Sequence, residues 1–168
     1  MTFRSKESKI NSSSEPGESV QKKQRSQPQS VVSQDGSCLD YIAYIPTGVG
    51  GEAPILVCLH GLRRNPAEQI FRLSSLADRA GCALIAPHFS RSRFRHFQTL
   101  APDKEGNLPE ALFDASLDDF ARRFRFSGER LFLFGFSGGG QFVHRYAMLG
   151  RRKIDRIAIA APGWYTLP

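Results

Sequence analysis

Cysteine is scarce in this sequence, and the few cysteines form no recognisable pattern. The 168 residues include three of them, Cys38, Cys58 and Cys82, with no Cys-x-x-Cys pair. An odd number without paired spacing argues against a disulfide framework and against a zinc site. Cys58 lies inside an apolar run and Cys82 begins another, so we expect small buried residues in a reducing compartment and no bound metal.

Long apolar segments are also missing. No stretch approaches the ~20 residues that a membrane-spanning helix requires, and the first 30 residues lack the apolar core of a secretory signal peptide. We therefore expect a cytoplasmic protein without a membrane partner.

Acidic residues are outnumbered: 16 of them stand against 23 lysines and arginines, which gives a formal net charge of +7. Such a balance can indicate nucleic-acid binding. The basic residues outside the first 37 positions mostly fall in short clusters at 63–64, 91–95 and 151–153, and no nucleic-acid-binding motif accompanies them. We interpret these clusters as solvated loops and expect no nucleic-acid partner, so binding through the basic N-terminal segment is the alternative ranked last.

Large apolar side chains are rare in residues 1–37, where serine, glutamine and lysine are frequent. A segment of this kind cannot bury enough surface to offset the conformational entropy lost on ordering. The composition predicts a disordered polar tail over 1–37 and one folded domain over 38–168.

Apolar strands and amphipathic helices alternate in the rest of the chain. Strands are predicted at 40–46, 55–59, 83–86, 131–134 and 156–161. Helices are predicted from Pro66 to just before Gly81, from Pro109 to just before Ser127, and over about 139–149. Residues 88–108 are polar and basic and predict a loop. This alternation is typical of an α/β fold with a doubly wound, mostly parallel sheet and helices on both faces.

The first predicted helix has clear end signals. Asn65 is a good N-cap, Pro66 suits the first helical position, and Glu68 stands at the spacing of a capping box. We expect an apolar stripe to face the sheet. It comprises Ile70, Phe71, Leu73, Leu76, Ala77 and Ala80.

A serine among glycines follows the fourth predicted strand. Residues 135–139, Gly-Phe-Ser-Gly-Gly, match G-x-S-x-G between an apolar strand and a helix-compatible stretch. On such a corner the serine backbone is strained, its Oγ is exposed above the sheet edge, and side chains at Gly135 and Gly139 would collide. The pattern predicts Ser137 as a nucleophile, and the alternative is a plain glycine-rich turn. A phosphate-binding loop is disfavoured because its lysine is absent.

The tripeptide His60-Gly61-Leu62 follows the buried strand 55–59. Acyl transfer requires two donors aimed at the developing oxyanion. We predict the backbone N–H groups of Gly138 and Leu62 for these positions, with His60 and Gly61 forming the oxyanion loop. The alternative is that His60-Gly61 is simply the end of a strand.

These elements together resemble the α/β-hydrolase family. The segments CLHG at 58–61, FGFSGGG at 134–140 and APGWYTLP at 161–168 are similar to its bacterial esterase branch, with the dienelactone hydrolases and the polyhydroxyalkanoate depolymerase-like enzymes. The resemblance covers about residues 38–168. It implies a triad of serine, acid and histidine in that chain order, which hydrolyses small esters or related acyl compounds through an acyl-enzyme without a cofactor.

The acid and the histidine of that triad are not recognisable after Ser137. His144 lies two helical turns on, ~10 Å along the axis, and Asp155 begins the last strand at the opposite end of the sheet. We therefore expect the N-terminal part of an α/β-hydrolase fold, truncated at its C-terminus and weakly active or inactive alone.

Two further expectations concern contacts. His88 and Arg91 follow a strand and could line the substrate pocket. The strand at 156–161 would leave an open apolar edge through which the chain could self-associate. A non-catalytic interaction fragment that pairs through this edge is the alternative function.

Overall fold

The computed structural model describes residues 27–164 of the chain. Within this range it contains six strands and three α-helices: β1 (Gln29–Val31), β2 (Tyr41–Tyr44), β3 (Ile55–Leu59), α1 (Pro66–Ala80), β4 (Ala83–Pro87), α2 (Pro109–Phe124), β5 (Leu131–Phe136), α3 (Gly138–Met148) and β6 (Arg156–Ala160). A 3-10 helix, Phe97–Thr99, lies between β4 and α2. None of the helices in residues 27–164 combines the length and the apolar character that a membrane span requires.

The six strands form one mixed sheet in the order β1-β2-β4-β3-β5-β6. The strands from β4 to β6 are parallel, whereas β1 and β2 pair in antiparallel fashion. The mostly parallel sheet expected from the sequence is thus confirmed, with an antiparallel margin at its N-terminal side.

Helices cover both faces of the sheet because the side chains of its central strands alternate between two apolar clusters. Ile55, Val57 and Leu59 of β3 belong to the larger cluster, which α2 and α3 complete. Cys58 belongs to the smaller cluster, which α1 completes through Ile70 and other side chains. A strand buried on both faces needs such an uninterrupted apolar run.

Helix α1 begins as the sequence predicts but presents a narrower apolar stripe. The Asn65 side chain accepts a hydrogen bond from the Glu68 N–H at 3.1 Å, and Gly81 ends the helix at φ 62°. In a capping box the Glu68 carboxylate would accept from the Asn65 N–H. Here it pairs with Arg72 instead, at 2.8 Å. The sequence predicts that Phe71, Leu76 and Ala80 face the sheet, but all three are exposed, Phe71 by 84%. A helix advances about 100° per residue, so Phe71 lies on a different face from its buried neighbour Ile70.

The described fold includes part of the predicted tail. The predicted tail 1–37 contains β1, in which Gln29 pairs with Ala43 and Val31 with Tyr41 of β2. An edge strand is held by main-chain hydrogen bonds, so a segment poor in large apolar residues can still join a sheet. Residues 1–26 of the predicted tail lie outside the described range.

The connection between β4 and α2 is a packed loop with aromatic anchors. Phe89, Phe94 and Phe97 are fully buried, and the rings of Phe89 and Phe97 stack with centroids 4.8 Å apart. Arg93 and Asp103 form an ion pair at 2.8 Å across the loop. The loop predicted from polarity and charge is therefore present, but its phenylalanines belong to the core.

The order of the strands creates a crevice above β3 and β5. Helix α1 leads from β3 to β4 on one side, whereas α3 leads from β5 to β6 on the other. The loops after β3 and β5 therefore diverge at the carboxyl edge of the sheet. Ligands of doubly wound folds bind at such a switch point.

Candidate active site

Ser137 stands at the corner between β5 and α3. Its backbone has φ 53° and ψ −118°, a conformation that residues with a Cβ atom adopt at a cost of about 1–3 kcal/mol. The Ser137 N–H donates to the carbonyl of Ala160 in β6 at 2.8 Å, and the Ser137 carbonyl accepts from the Gln141 N–H at 3.1 Å. Both neighbouring elements therefore hold the corner in this conformation.

Close backbone approach explains why glycine flanks the corner. A methyl group on Gly135 would lie 2.3 Å from the carbonyl oxygen of Gly139. One on Gly139 would lie 2.4 Å from the carbonyl oxygen of Leu59 and 2.6 Å from that of His60. These contacts are with main-chain atoms, which cannot rotate away as a side chain can. The packing of β5, α3 and the end of β3 around the serine excludes any larger residue at either position.

The tripeptide after β3 lies directly beside the serine corner. A methyl group on Gly61 would be 3.2 Å from the Cβ of Ser137, and one on Gly138 would be 3.0 Å from the Leu62 side chain. The two segments that the sequence pairs as serine turn and oxyanion loop are thus neighbours. Gly138 is the first residue of α3, so its N–H has no acceptor within the helix.

His60 is buried, and both nitrogens of its ring are engaged. Nδ1 contacts the Gly61 carbonyl at 3.0 Å, and Nε2 accepts from the Phe89 N–H at 3.1 Å. This pairing requires a neutral ring that is protonated on Nδ1. Burial lowers the pKa of His60 to about 4, which agrees with that assignment. His60 therefore has no free lone pair with which to take a proton from a serine hydroxyl.

A cleft of about 630 Å³ opens between α1 and β5 with Ser137 at its margin. Its apolar wall consists of Leu62, Leu73, Phe134 and Phe136, and its polar wall includes Asn65, Gln69 and the Glu68–Arg72 pair. The only histidine lining it in residues 27–164 is His60. No three His, Cys, Asp or Glu side chains of the described residues could hold a metal ion.

The other residues singled out by sequence do not line this cleft. His88 is half-buried, with its ring centroid 5.8 Å from that of His60. Arg91 borders a separate basic cleft together with Arg95 and Lys104. Asp155 lies at the opposite edge of the sheet, where its carboxylate accepts from the Leu131 N–H at 3.0 Å.

Two residues near the corner were missed from sequence. Phe97 packs against the start of α3, since its Cζ would be 3.6 Å from a methyl group on Gly138. Arg64 covers the Phe97 ring, with its guanidinium carbon 4.8 Å from the ring centroid. The spacing of Phe89, Phe94 and Phe97 was the available signal for a loop folded onto the core. Nothing in the pattern distinguished Arg64 from the exposed Arg63.

A protein-family model matches most of the chain. The family model described as Esterase PHB depolymerase matches residues 39–159, which include the serine corner and the tripeptide His60-Gly61-Leu62. A search of curated protein sequences found no match.

Solved structures share the fold. They include poly(aspartic acid) hydrolase-1 from Sphingomonas sp. KT-1 (TM-score 0.71, 21% identity, 86% of this chain and 59% of that one). LpqC, a poly(3-hydroxybutyrate) depolymerase from Bordetella parapertussis, matches with TM-score 0.69 and 26% identity over 85% of this chain and 54% of its own. An S-formylglutathione hydrolase from Agrobacterium tumefaciens matches with TM-score 0.62 and 15% identity over 79% and 56%. The match thus spans little more than half the length of each of these proteins.

Proposed function

Because the chain belongs to the esterase PHB depolymerase family, we propose that it is the nucleophile-bearing part of a serine hydrolase that cleaves carboxylic esters or related acyl compounds. The observation that carries this proposal is the backbone of Ser137, at φ 53° between a central strand and α3. A nucleophile elbow needs a serine at positive φ, and it needs flanking glycines that pack closely against main-chain atoms. A plain glycine-rich turn needs neither feature.

In the proposed reaction, Ser137 Oγ attacks the carbonyl carbon of the ester while its proton passes to a histidine base. The tetrahedral intermediate collapses to an acyl-enzyme, and the alcohol leaves with that proton. Water then attacks the acyl-enzyme, releases the acid and restores the serine. No metal or organic cofactor takes part, and the substrate is a small molecule that enters the cleft between α1 and β5.

The oxyanion of the intermediate would be held by the N–H groups of Gly138 and Leu62. Support for Gly138 comes from its place as the first residue of α3, where the helix dipole also favours negative charge. Support for Leu62 comes from its position beside Gly138, since its side chain would lie 3.0 Å from a methyl group on Gly138. Preorganised donors of this kind contribute about 3–4 kcal/mol each to the stabilisation of a transition state.

We assign the histidine base and its acid to residues beyond position 168 of a longer polypeptide. His60 is fully engaged by Gly61 and Phe89, and His144 lies two turns along α3. The reading frame downstream of codon 168 tests the assignment of the base: it should continue into an acid and then a histidine.

The three free cysteines are buried, which suits a protein of the reducing cytoplasm.

Hydrolysis of p-nitrophenyl acetate tests the function. The product of the extended reading frame should hydrolyse the ester, and Ser137→Ala should reduce turnover to background. Ser127→Ala, which changes an exposed serine at the opposite edge of the sheet, should leave it unchanged. Turnover that survives Ser137→Ala would refute the proposed nucleophile. Ser137-dependent turnover in a verified 168-residue chain would refute the assignment of the base.

The exposed edge of β6 favours a second candidate function, an interaction fragment. β6 is the last strand of the described sheet on that side, and Ile157 is 44% exposed. A free strand edge can pair with a second copy of the chain. Size-exclusion chromatography tests this: concentration-dependent dimers that Ile157→Lys abolishes would support it, whereas a monomer at all concentrations would exclude self-pairing.

A further inference from the structure

The side chain of Arg64 donates hydrogen bonds to main-chain carbonyls of the loop that follows β4. Its guanidinium donates to the carbonyl oxygens of Phe89 at 2.6 Å, Phe94 at 2.7 Å and Arg95 at 2.8 Å, with a longer contact of 3.3 Å to Ser90. Arginine can serve so many acceptors because its five N–H groups form a fixed planar fork. The ammonium of lysine has three donors and cannot span the same set.

The backbone of Arg64 also fixes the peptide between Gly61 and Leu62. The Arg64 N–H donates to the Gly61 carbonyl at 3.0 Å, and the same oxygen is 3.0 Å from Nδ1 of His60. In a planar trans peptide the C=O and N–H bonds point in opposite directions. Two donors that hold the Gly61 oxygen therefore aim the Leu62 N–H away from His60.

Arg64 itself adopts φ 57°, which a residue with a Cβ atom accepts only where the surroundings require it. Its guanidinium lies over Phe97, and Phe97 packs beside Gly138 at the start of α3. One residue thus connects three segments around the serine corner: the turn 61–64, the loop 89–97 and the first residue of α3. None of the ion pairs in the described residues includes Arg64, so its charge is not neutralised by a carboxylate.

We propose that Arg64 is a positioning residue that holds the 61–62 peptide so that the Leu62 N–H faces the oxyanion. This inference rests on the proposed function. Without the fork, the loop 89–97 is released and the αL conformation of Arg64 is no longer held, so the Arg64 N–H can leave the Gly61 carbonyl and the 61–62 peptide can rotate. Rotation would turn the Leu62 N–H out of the site while leaving the Ser137 corner intact.

Arg64→Lys keeps the charge and loses the fork. In the Ser137-dependent enzyme, kcat should fall roughly 10- to 100-fold with little change in KM, because an oxyanion donor acts only in the transition state. Arg145→Lys is the matched control, since Arg145 likewise donates to a loop carbonyl, Gln98 at 2.6 Å, but makes no contact with the turn 61–64. Its kcat should stay within about twofold of the parent.

A crystal structure of Arg64→Lys in the 168-residue chain provides a readout that needs no activity. We expect the Gly61 carbonyl to have left Nδ1 of His60 and the Ser137 backbone to be unchanged. An unmoved 61–62 peptide, or a kcat equal to that of Arg145→Lys, would overturn the inference while Ser137-dependent hydrolysis stands. Loss of the serine dependence itself would instead overturn the proposed function.

Discussion

The Nε2 atom of His60 accepts a hydrogen bond from the backbone N–H of Phe89 at 3.1 Å. This bond joins the end of β3 to the loop after β4, and it exists only while the imidazole is neutral. Burial lowers the pKa of His60 to about 4, from 6.5 for an exposed histidine. The unfolded chain therefore takes up a proton at this site at a higher pH than the folded chain does.

Stability should fall as the pH drops from about 6.5 to about 4. In this range the unfolded state binds more protons at His60 than the folded state, so protonation favours unfolding. The full effect corresponds to about 3 kcal/mol. On acidification, this loss of stability comes before the loss that protonation of Asp103 causes, because the pKa of Asp103 is lower. Burial acts to raise the pKa of that carboxyl, but hydrogen bonds from Arg93 and Asn107 outweigh burial and lower it to about 2.

Urea unfolding at a series of pH values measures this dependence. His60→Gln should flatten the curve between pH 6.5 and 4, because the amide does not titrate, although the variant is less stable at pH 7. His96→Gln, the same substitution at an exposed position, is the matched control variant. A parent protein with equal stability at pH 4.5 and pH 7 would contradict the neutral assignment of His60.

Gly139→Ala should destabilise the fold by about 3 kcal/mol, as expected where extra atoms meet a packed site. The added methyl would lie 2.4 Å from the carbonyl oxygen of Leu59, so β3 and α3 would have to move apart. The free energy of unfolding in urea measures the loss. Gly50→Ala is the control, because nothing lies within 4 Å of its new methyl, and a loss as large there would show that steric contact is not the cause.

Ser137→Gly should be more stable than Ser137→Ala by about 1 kcal/mol. Glycine relieves the positive-φ conformation, whose cost of about 1–3 kcal/mol exceeds the greater chain entropy of unfolded glycine. Both variants lack the hydroxyl, so their difference isolates the backbone. Thermal unfolding of the pair measures it. Equal stability, or a more stable alanine variant, would show that the corner is relaxed at φ 53°.

The sequence predicted the central elements well because their signals are local. The apolar run at 55–59 and the glycines around Ser137 identify a buried strand and a strand-to-helix corner without knowledge of the rest of the chain. The rules that govern the connection of parallel strands predict the sheet. They also predict that the serine corner lies beside His60-Gly61-Leu62.

The features that sequence did not reveal depend on distant partners. β1 forms because β2 offers it a free edge, and no side-chain pattern in residues 29–31 encodes that pairing. Arg64 acquires its role from four carbonyls that lie 25 to 31 residues away along the chain. Phe71 was misassigned because apolar character alone does not say which helix face meets the sheet.

The hydrogen bond that the Ser137 N–H donates to the Ala160 carbonyl makes β6, an edge strand of the described sheet, part of the serine corner. β6 contributes no side chain to the cleft, yet its carbonyl anchors the residue on which the proposed chemistry depends. Local unfolding of β6 would therefore disturb the conformation of Ser137 before the core of the sheet unfolds. If the proposed chemistry holds, the rate at which the Ser137 hydroxyl reacts becomes a measure of how well β6 remains paired with β5.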